Sequence, residues 1–303
     1  MKKTVVKVII TCLKAVLALG IFILCSMVVY LLFDLVGIDR KVYAGVTAVA
    51  TNVLALAVLY VLWKIDSRLA GEFIRFAKPQ SYQTVCTVLV AMGLTGLIVI
   101  YMLAARYLSD YLDSFKRNLD EYRESVDRYS DVSQQAVPFW DSLLYVVATF
   151  TVVPICEEFV FRGMIMGQMK RIAPVWAAVL IQAVVFGLMH GITIQVGYAV
   201  ICGLVLGVVY QFCDNLWMPI LVHAVFNLLG SSIPGLLALE QLGIPNEMRT
   251  DISLAMTMGE YFLMFPAGLA FVYMWYRYKK NAEERAKIAK AQDAEPSGEG
   301  AIC

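Results

Sequence analysis

Charge is what this chain has least of. Only 16% of its 303 residues are Asp, Glu, Lys or Arg, against 60% apolar, where soluble domains sit near 25% and 45–50%. That scarcity excludes an ordinary soluble enzyme, and it excludes a disordered chain, which needs low hydrophobicity and high net charge. The 25 basic and 24 acidic residues leave a net charge of +1, so no basic excess is present to neutralise phosphates and no nucleic-acid partner is expected. Histidine is rarer still, with two in the whole chain. No CxxC pair and no HExxH run occurs, so neither a thiolate zinc site nor a local zinc-protease motif is suggested. The odd number of cysteines, seven scattered mostly through apolar runs, does not suggest a disulfide framework; there cysteine behaves as a small hydrophobe. We find no internal repeat.

What is present is apolar length. A bilayer-spanning helix takes about 20 apolar residues, and eight segments qualify, which makes the expected fold an all-α polytopic membrane protein with about eight transmembrane helices. The first three run near 15–36, 42–63 and 84–105. The fourth begins near Phe139, the fifth at Pro174, the sixth near Gln195, the seventh near Trp217 and the eighth near Met256. The first is too long for a signal-peptide core and lacks a small-residue cleavage site, so it reads as a retained helix. Lys and Arg gather on alternate loops in a way that puts both termini in the cytoplasm.

Three regions are expected: residues 1–138 with three helices and an outer loop, a membrane core over 139–278, and a charged, partly disordered cytoplasmic tail over 279–303. The loop 106–135 carries seven acids against five basic residues. Tyr107, Leu108, Tyr111, Leu112 and Phe115 recur in it at helical spacing, as in an amphipathic surface helix. The stretch 65–80 reads as a short basic surface segment.

Ionisable groups inside a membrane are costly and are therefore candidates for function. Here they cluster. The fourth segment carries Glu157, Glu158 and Arg162, the fifth His190, and the seventh His223 and Asn227. Both histidines of the chain fall inside apolar segments. Residues four apart share a helix face, which aligns Glu158 with Arg162, Phe186 with His190, and His223 with Asn227. Glu157 points about 100° away from Glu158. Arg162 then pairs with Glu158, and Glu157 is left to face the histidines. Glu157 lies 16 residues before Ala173 and His190 lies 16 after Pro174, so in a helical hairpin each sits about 24 Å from the turn, and one site is expected to hold both.

Such a set suits peptide hydrolysis within a membrane. Glu157 would act as general base on a water that His190 positions. His223 and Asn227 would offer N–H donors to the tetrahedral oxyanion. A zinc ion held by Glu157, His190 and His223 is the alternative left open, since three protein ligands and an open position make a catalytic zinc site. Cys156 reads as packing, Glu260 as a residue at a membrane boundary, and Pro154 as a kink ahead of the glutamates. Two other classes stay in view: an ion- or proton-coupled transporter using the same buried groups, and a non-catalytic membrane scaffold or immunity protein.

The run from Glu157 to Gly163, with Phe186 and His190 four apart and His223 and Asn227 four apart, resembles the CPBP family of intramembrane proteases, which contains type II CAAX prenyl endopeptidases and bacteriocin-processing Abi proteins. The resemblance covers about residues 139–237. It implies an intramembrane endopeptidase of a membrane-anchored peptide, in which Glu157 and His190 activate the water, His223 and Asn227 hold the oxyanion, and Glu158 and Arg162 fill the remaining motif positions. It implies a bilayer as partner, and a bacterial plasma membrane suits the short loops.

Overall fold

The computed structural model describes residues 2–71, 73–132, 137–191, 193–239 and 242–294. Twelve α-helices follow in order: α1 (Lys2–Leu35), α2 (Ala44–Ala70), α3 (Ser81–Ser109), α4 (Asp113–Val132), α5 (Phe139–Phe150), α6 (Val152–Glu158), α7 (Gly167–Met169), α8 (Val175–Leu188), α9 (Thr193–Cys213), α10 (Trp217–Asn227), α11 (Ile233–Ala238) and α12 (Asn246–Ala294). Two π-helical stretches, Phe159–Met166 and Leu228–Ser232, join α6 to α7 and α10 to α11. No strand occurs among the described residues. The protein is an all-α integral membrane protein.

Seven helices among the described residues are long and apolar enough to cross a bilayer. The fifth expected span is shorter than its apolar run suggested: α8 holds only 14 residues, about 21 Å of helix. Gly191 has φ +75° and ends the helical register just after His190, as a glycine in the left-handed region does at a helix C-terminus. The eighth begins ten residues earlier than apolarity suggested, at Asn246 rather than Met256, because its first turns are helical but polar, with Asn246, Glu247, Arg249, Thr250 and Asp251. Helix α12 then runs unbroken through Lys279 to Ala294, so the first part of the charged tail is helix; 295–303 lie outside the described residues. Phe262 and Phe265 on α12 are 84% and 76% exposed, an apolar surface that only lipid covers at low cost.

The expected amphipathic helix of the loop exists as α4, starting later than the apolar spacing placed it, since Tyr107 and Leu108 still belong to α3. Leu119 of α4 is buried with Ala105 and Ile194, so α4 lies against α3 and α9 rather than standing free. The basic stretch after Trp63 continues α2 to Ala70, and an extended segment follows.

Two joints hold the helices that frame the site. Helices α3 and α12 cross through glycines: a Cβ on Gly93 would lie 2.3 Å from the Ala267 Cβ, and one on Gly96 would lie 2.8 Å from the Glu260 carbonyl oxygen. Small residues allow this approach where no hydrophobic effect drives helix association. Helix α5 is tied to the start of α2 by Asp141, which is fully buried and accepts the backbone N–H groups of Gly45 (2.8 Å) and Val46 (2.9 Å). Those N–H groups lie in the first turn of α2 and have no partner within the helix.

Candidate active site

The fourth apolar segment breaks at Thr151, whose φ and ψ are −121° and −80°. The break sits just after Phe150, the carbonyl that Pro154 cannot bond because it lacks an N–H. The expected kink is therefore real and falls directly before the glutamates. Helix α6 then carries Glu157 and Glu158, and the π-helical stretch that follows carries Arg162. A second π-helical stretch begins immediately after Asn227. π-Turns recur at functional sites, where they turn side chains out of the α register.

The polar side chains meet as follows. Arg162 donates to Glu158 at 2.8 Å, and both side chains are fully buried. The same Glu158 oxygen accepts from His223 Nδ1 at 2.8 Å. Glu158 is thus shared between Arg162 and His223, a role its spacing to Arg162 alone did not disclose. His223 Nε2 stands 3.8 Å from Glu157 Oε2. Because Nδ1 spends its proton on Glu158, Nε2 and the Glu157 carboxylate would both be acceptors if the ring were neutral. A proton shared between them, on either residue or on a bridging water, would turn that pair of acceptors into a hydrogen bond.

Further residues support this network, and of them the sequence singled out only Phe186. Arg162 also donates to the Gly203 carbonyl at 3.3 Å, and fully buried Gln182 donates to the same oxygen at 2.8 Å. The Arg162 guanidinium lies 4.5 Å over the Phe186 ring. That ring is 4.7 Å from the His190 ring and 6.0 Å from the His223 ring, so Phe186 stands between the histidines. The sequence signal for it was only its place four residues before His190.

His190 donates through Nδ1 to the Phe186 carbonyl at 2.9 Å; a carbonyl accepts only, so in the neutral ring Nε2 carries the lone pair. His190 makes no hydrogen bond or ion pair with Glu157 among the described residues, although the hairpin arithmetic put them at one level. His190, His223 and Asn227 instead share a cavity of about 710 Å³ between α3, α4, α8, α9, α10 and α12. Glu157 reaches the cluster through His223 and does not line that cavity. Asn227 donates one amide hydrogen to the Thr149 carbonyl at 2.9 Å and keeps the other. Cys156 is fully buried and lies among apolar residues of the core, as packing requires.

No three of His, Cys, Asp and Glu gather closely enough to hold a metal ion among the described residues. The Glu157, His190 and His223 set that a zinc ion would need is not assembled, with His190 turned to Phe186. As arranged, these donors do not fit that metal.

Fold and site together define a helical integral membrane protein with a buried acid–base network beside a polar-floored cavity. Residues 139–229, which contain every group of that network, match the family described as type II CAAX prenyl endopeptidase Rce1-like; the segment that builds the site is Rce1-like. The chain is also 25% identical over 138 residues to "Putative membrane peptidase YdiL" of Bacillus subtilis strain 168, an alignment covering 44% of this chain and 54% of that protein. The chain thus spans about half the length of the curated relative it matches. No solved structure matches it. Both matches point to membrane peptidases at the level of the family.

Proposed function

We propose that the protein is an intramembrane endopeptidase that hydrolyses a peptide bond in a membrane-anchored substrate. The observation that carries this reading is the hydrogen-bonded chain Arg162–Glu158–His223, with Glu157 at 3.8 Å from its free end. It sets a carboxylate and a proton-bearing imidazole side by side within apolar helices.

In this reading Glu157 takes a proton from a water as the water oxygen bonds to the scissile carbonyl carbon. The oxyanion that forms is met by His223 Nε2–H and by the amide hydrogen that Asn227 keeps, donors of a kind worth about 2.7–4 kcal/mol each. His190, with Nε2 open, accepts a hydrogen bond from the attacking water and orients it. When the tetrahedral carbon collapses, the C–N bond breaks and the leaving nitrogen takes the proton back from Glu157. Glu158 and Arg162 do not touch substrate; they hold His223 in one tautomer and orientation. The loop charges favour both termini in the cytoplasm, and the family resemblance leaves the substrate open between a prenylated CAAX peptide and a bacteriocin leader-type peptide.

The test is cleavage of a membrane-anchored reporter peptide by the full chain, by Glu157→Ala and by His190→Ala, each with and without a chelator. Loss of cleavage in Glu157→Ala with expression intact is expected, together with wild-type activity that survives the chelator. An active Glu157→Ala protein overturns the mechanism, and chelator-sensitive activity restored by zinc replaces it with a metal-dependent one.

A further inference from the structure

Glu260, which sequence position alone read as a membrane-boundary residue, has a second feature. It lies within α12, one wall of the cavity that His190, His223 and Asn227 line from the other side. The glycine crossing of α3 and α12 fixes it there, because the backbone carbonyl of Glu260 itself rests against Gly96. Its carboxyl group neighbours the Thr95 hydroxyl, and that hydroxyl donates to the Met92 carbonyl at 2.6 Å. The cavity lining on α3 and α12 mixes Ile98, Met102 and Met256 with the hydroxyl-bearing Thr95, Ser253 and Thr257. No ion pair reaches Glu260 among the described residues. Arg106, the cavity's one arginine or lysine, is exposed on α3.

A half-buried carboxyl group with hydroxyls beside it and no ion-pair partner among the described residues is costly to ionise unless a ligand brings the cation. A cation that enters such a cavity loses water, so its pairing with a fixed carboxylate discriminates strongly between charges. We propose that Glu260 determines specificity by binding a basic side chain of the peptide substrate, a lysine or arginine close to the bond presented to His190 and His223. The proposal rests on the peptidase reading for its substrate class and extends it to the substrate's charge.

The experiment uses the full chain in lipid nanodiscs and measures binding of fluorescent membrane-anchored peptides that carry Lys, Gln or Glu at successive positions beside the anchor. The lysine peptide is expected to bind about tenfold more tightly than its glutamate twin at one or two adjacent positions, a gap of the size a desolvated charge pair supplies. Glu260→Gln, which keeps the shape, should collapse the gap, and Glu260→Lys should invert it. Thr257→Lys leaves Glu260 in place but sets a lysine three residues away on the same helix face; it too should close the gap, and it guards against a folding defect in the Glu260 variants. An unchanged gap in Glu260→Gln or in Thr257→Lys overturns the proposal. So does a gap present in phosphatidylglycerol discs that vanishes when phosphatidylethanolamine is added, because a lipid amine would then own the site. Glu157→Gln separates the two readings: it should stop cleavage and keep the binding gap. Continued cleavage by that variant defeats the proposed mechanism while the gap still judges Glu260.

Discussion

Two carboxylates buried to the same degree are partnered in opposite ways. Asp141 has both oxygens matched to a backbone N–H of α2, one each from Gly45 and Val46. Glu158 has Oε1 doubly used by Arg162 and His223, while buried Oε2 has no hydrogen-bond partner among the described residues, and neither has Arg162 Nε. The first site is closed: each lone acceptor meets a donor the fold must satisfy anyway. The second is open: its partners are titratable or charged side chains, one of them within reach of another acid, and some of its bonding capacity is unspent. A partly satisfied buried network costs stability, and proteins tolerate such costs at functional sites. Full satisfaction suits a joint, and incomplete satisfaction by titratable partners suits the proton transfer of the proposed function.

The largest effect should come from the open side. Glu157→Gln keeps the shape and removes the base, and kcat/KM for a membrane-anchored reporter should fall by about 10²–10⁴-fold, with the detergent melting curve nearly unchanged because Glu157 is only loosely held at 3.8 Å. A retained rate would show that the open carboxylate cluster is not where protons move. Glu158→Gln should do both kinds of damage. Arg162, fully buried, loses its counter-charge, which costs about 3–5 kcal/mol; chemical denaturation of the reconstituted protein reads this. The surviving folded fraction should also lose activity, since the amide no longer holds His223 by charge. If Glu158→Gln melts the protein but leaves the rate per folded molecule intact, Glu158 belongs with Asp141 as a joint.

Much of the open site was legible in the sequence because membranes make ionisable residues conspicuous. Glu157, Glu158, Arg162, His190, His223 and Asn227 stood out by cost alone, and spacing of four gave the Glu158–Arg162 pair. The tie from His223 to Glu158 was not legible. It joins residues 65 apart on helices whose mutual rotation no periodicity reports, next to a π-helical stretch that helical spacing does not anticipate. Equal depth for Glu157 and His190 was inferred from the hairpin turn, and level does not say which way a ring turns; a carbonyl one turn back holds His190. Asp141 escaped notice because one acid at the start of an apolar run looks like a boundary residue, and its partners lie 95 and 96 positions away. Glu260 was read as a boundary residue for the same reason, and its place in the cavity lining was not legible from position alone. The count of spans was read from apolarity, which does not see the stop at Gly191 that shortens α8.

On the open side a smaller effect is expected at Asn227. Asn227→Ala removes one oxyanion donor, and kcat should fall about 10²–10³-fold while KM stays close to its wild-type value, the pattern of an interaction made in the transition state. The change also frees the Thr149 carbonyl, so a melting curve is needed beside the kinetics. A rise in KM with kcat unchanged would make Asn227 a substrate-binding group and would remove it from the proposed oxyanion site.

The smallest effect on chemistry, and the sharpest test of the closed carboxylate, belongs to Asp141. Asp141→Ala leaves two first-turn N–H groups of α2 without acceptors in a buried place. Charge-assisted bonds of this kind are worth about 1.5–3 kcal/mol each, though their loss is seldom additive, so a destabilisation of about 2–4 kcal/mol is expected. Asp141→Asn retains one acceptor and about half of the geometry, but it loses the charge that favours a helix N-terminus, and should fall between. Gly45 offers the matching probe from the other side, since a Cβ there would lie 2.3 Å from the Asp141 carbonyl oxygen; Gly45→Ala must push α5 away from α2 and should destabilise by a similar amount. Cleavage per folded molecule should stay within about twofold in all three, because a closed joint supplies position and no proton. A large loss of specific activity in Asp141→Asn, with the melting curve little changed, would erase the distinction between the two carboxylates.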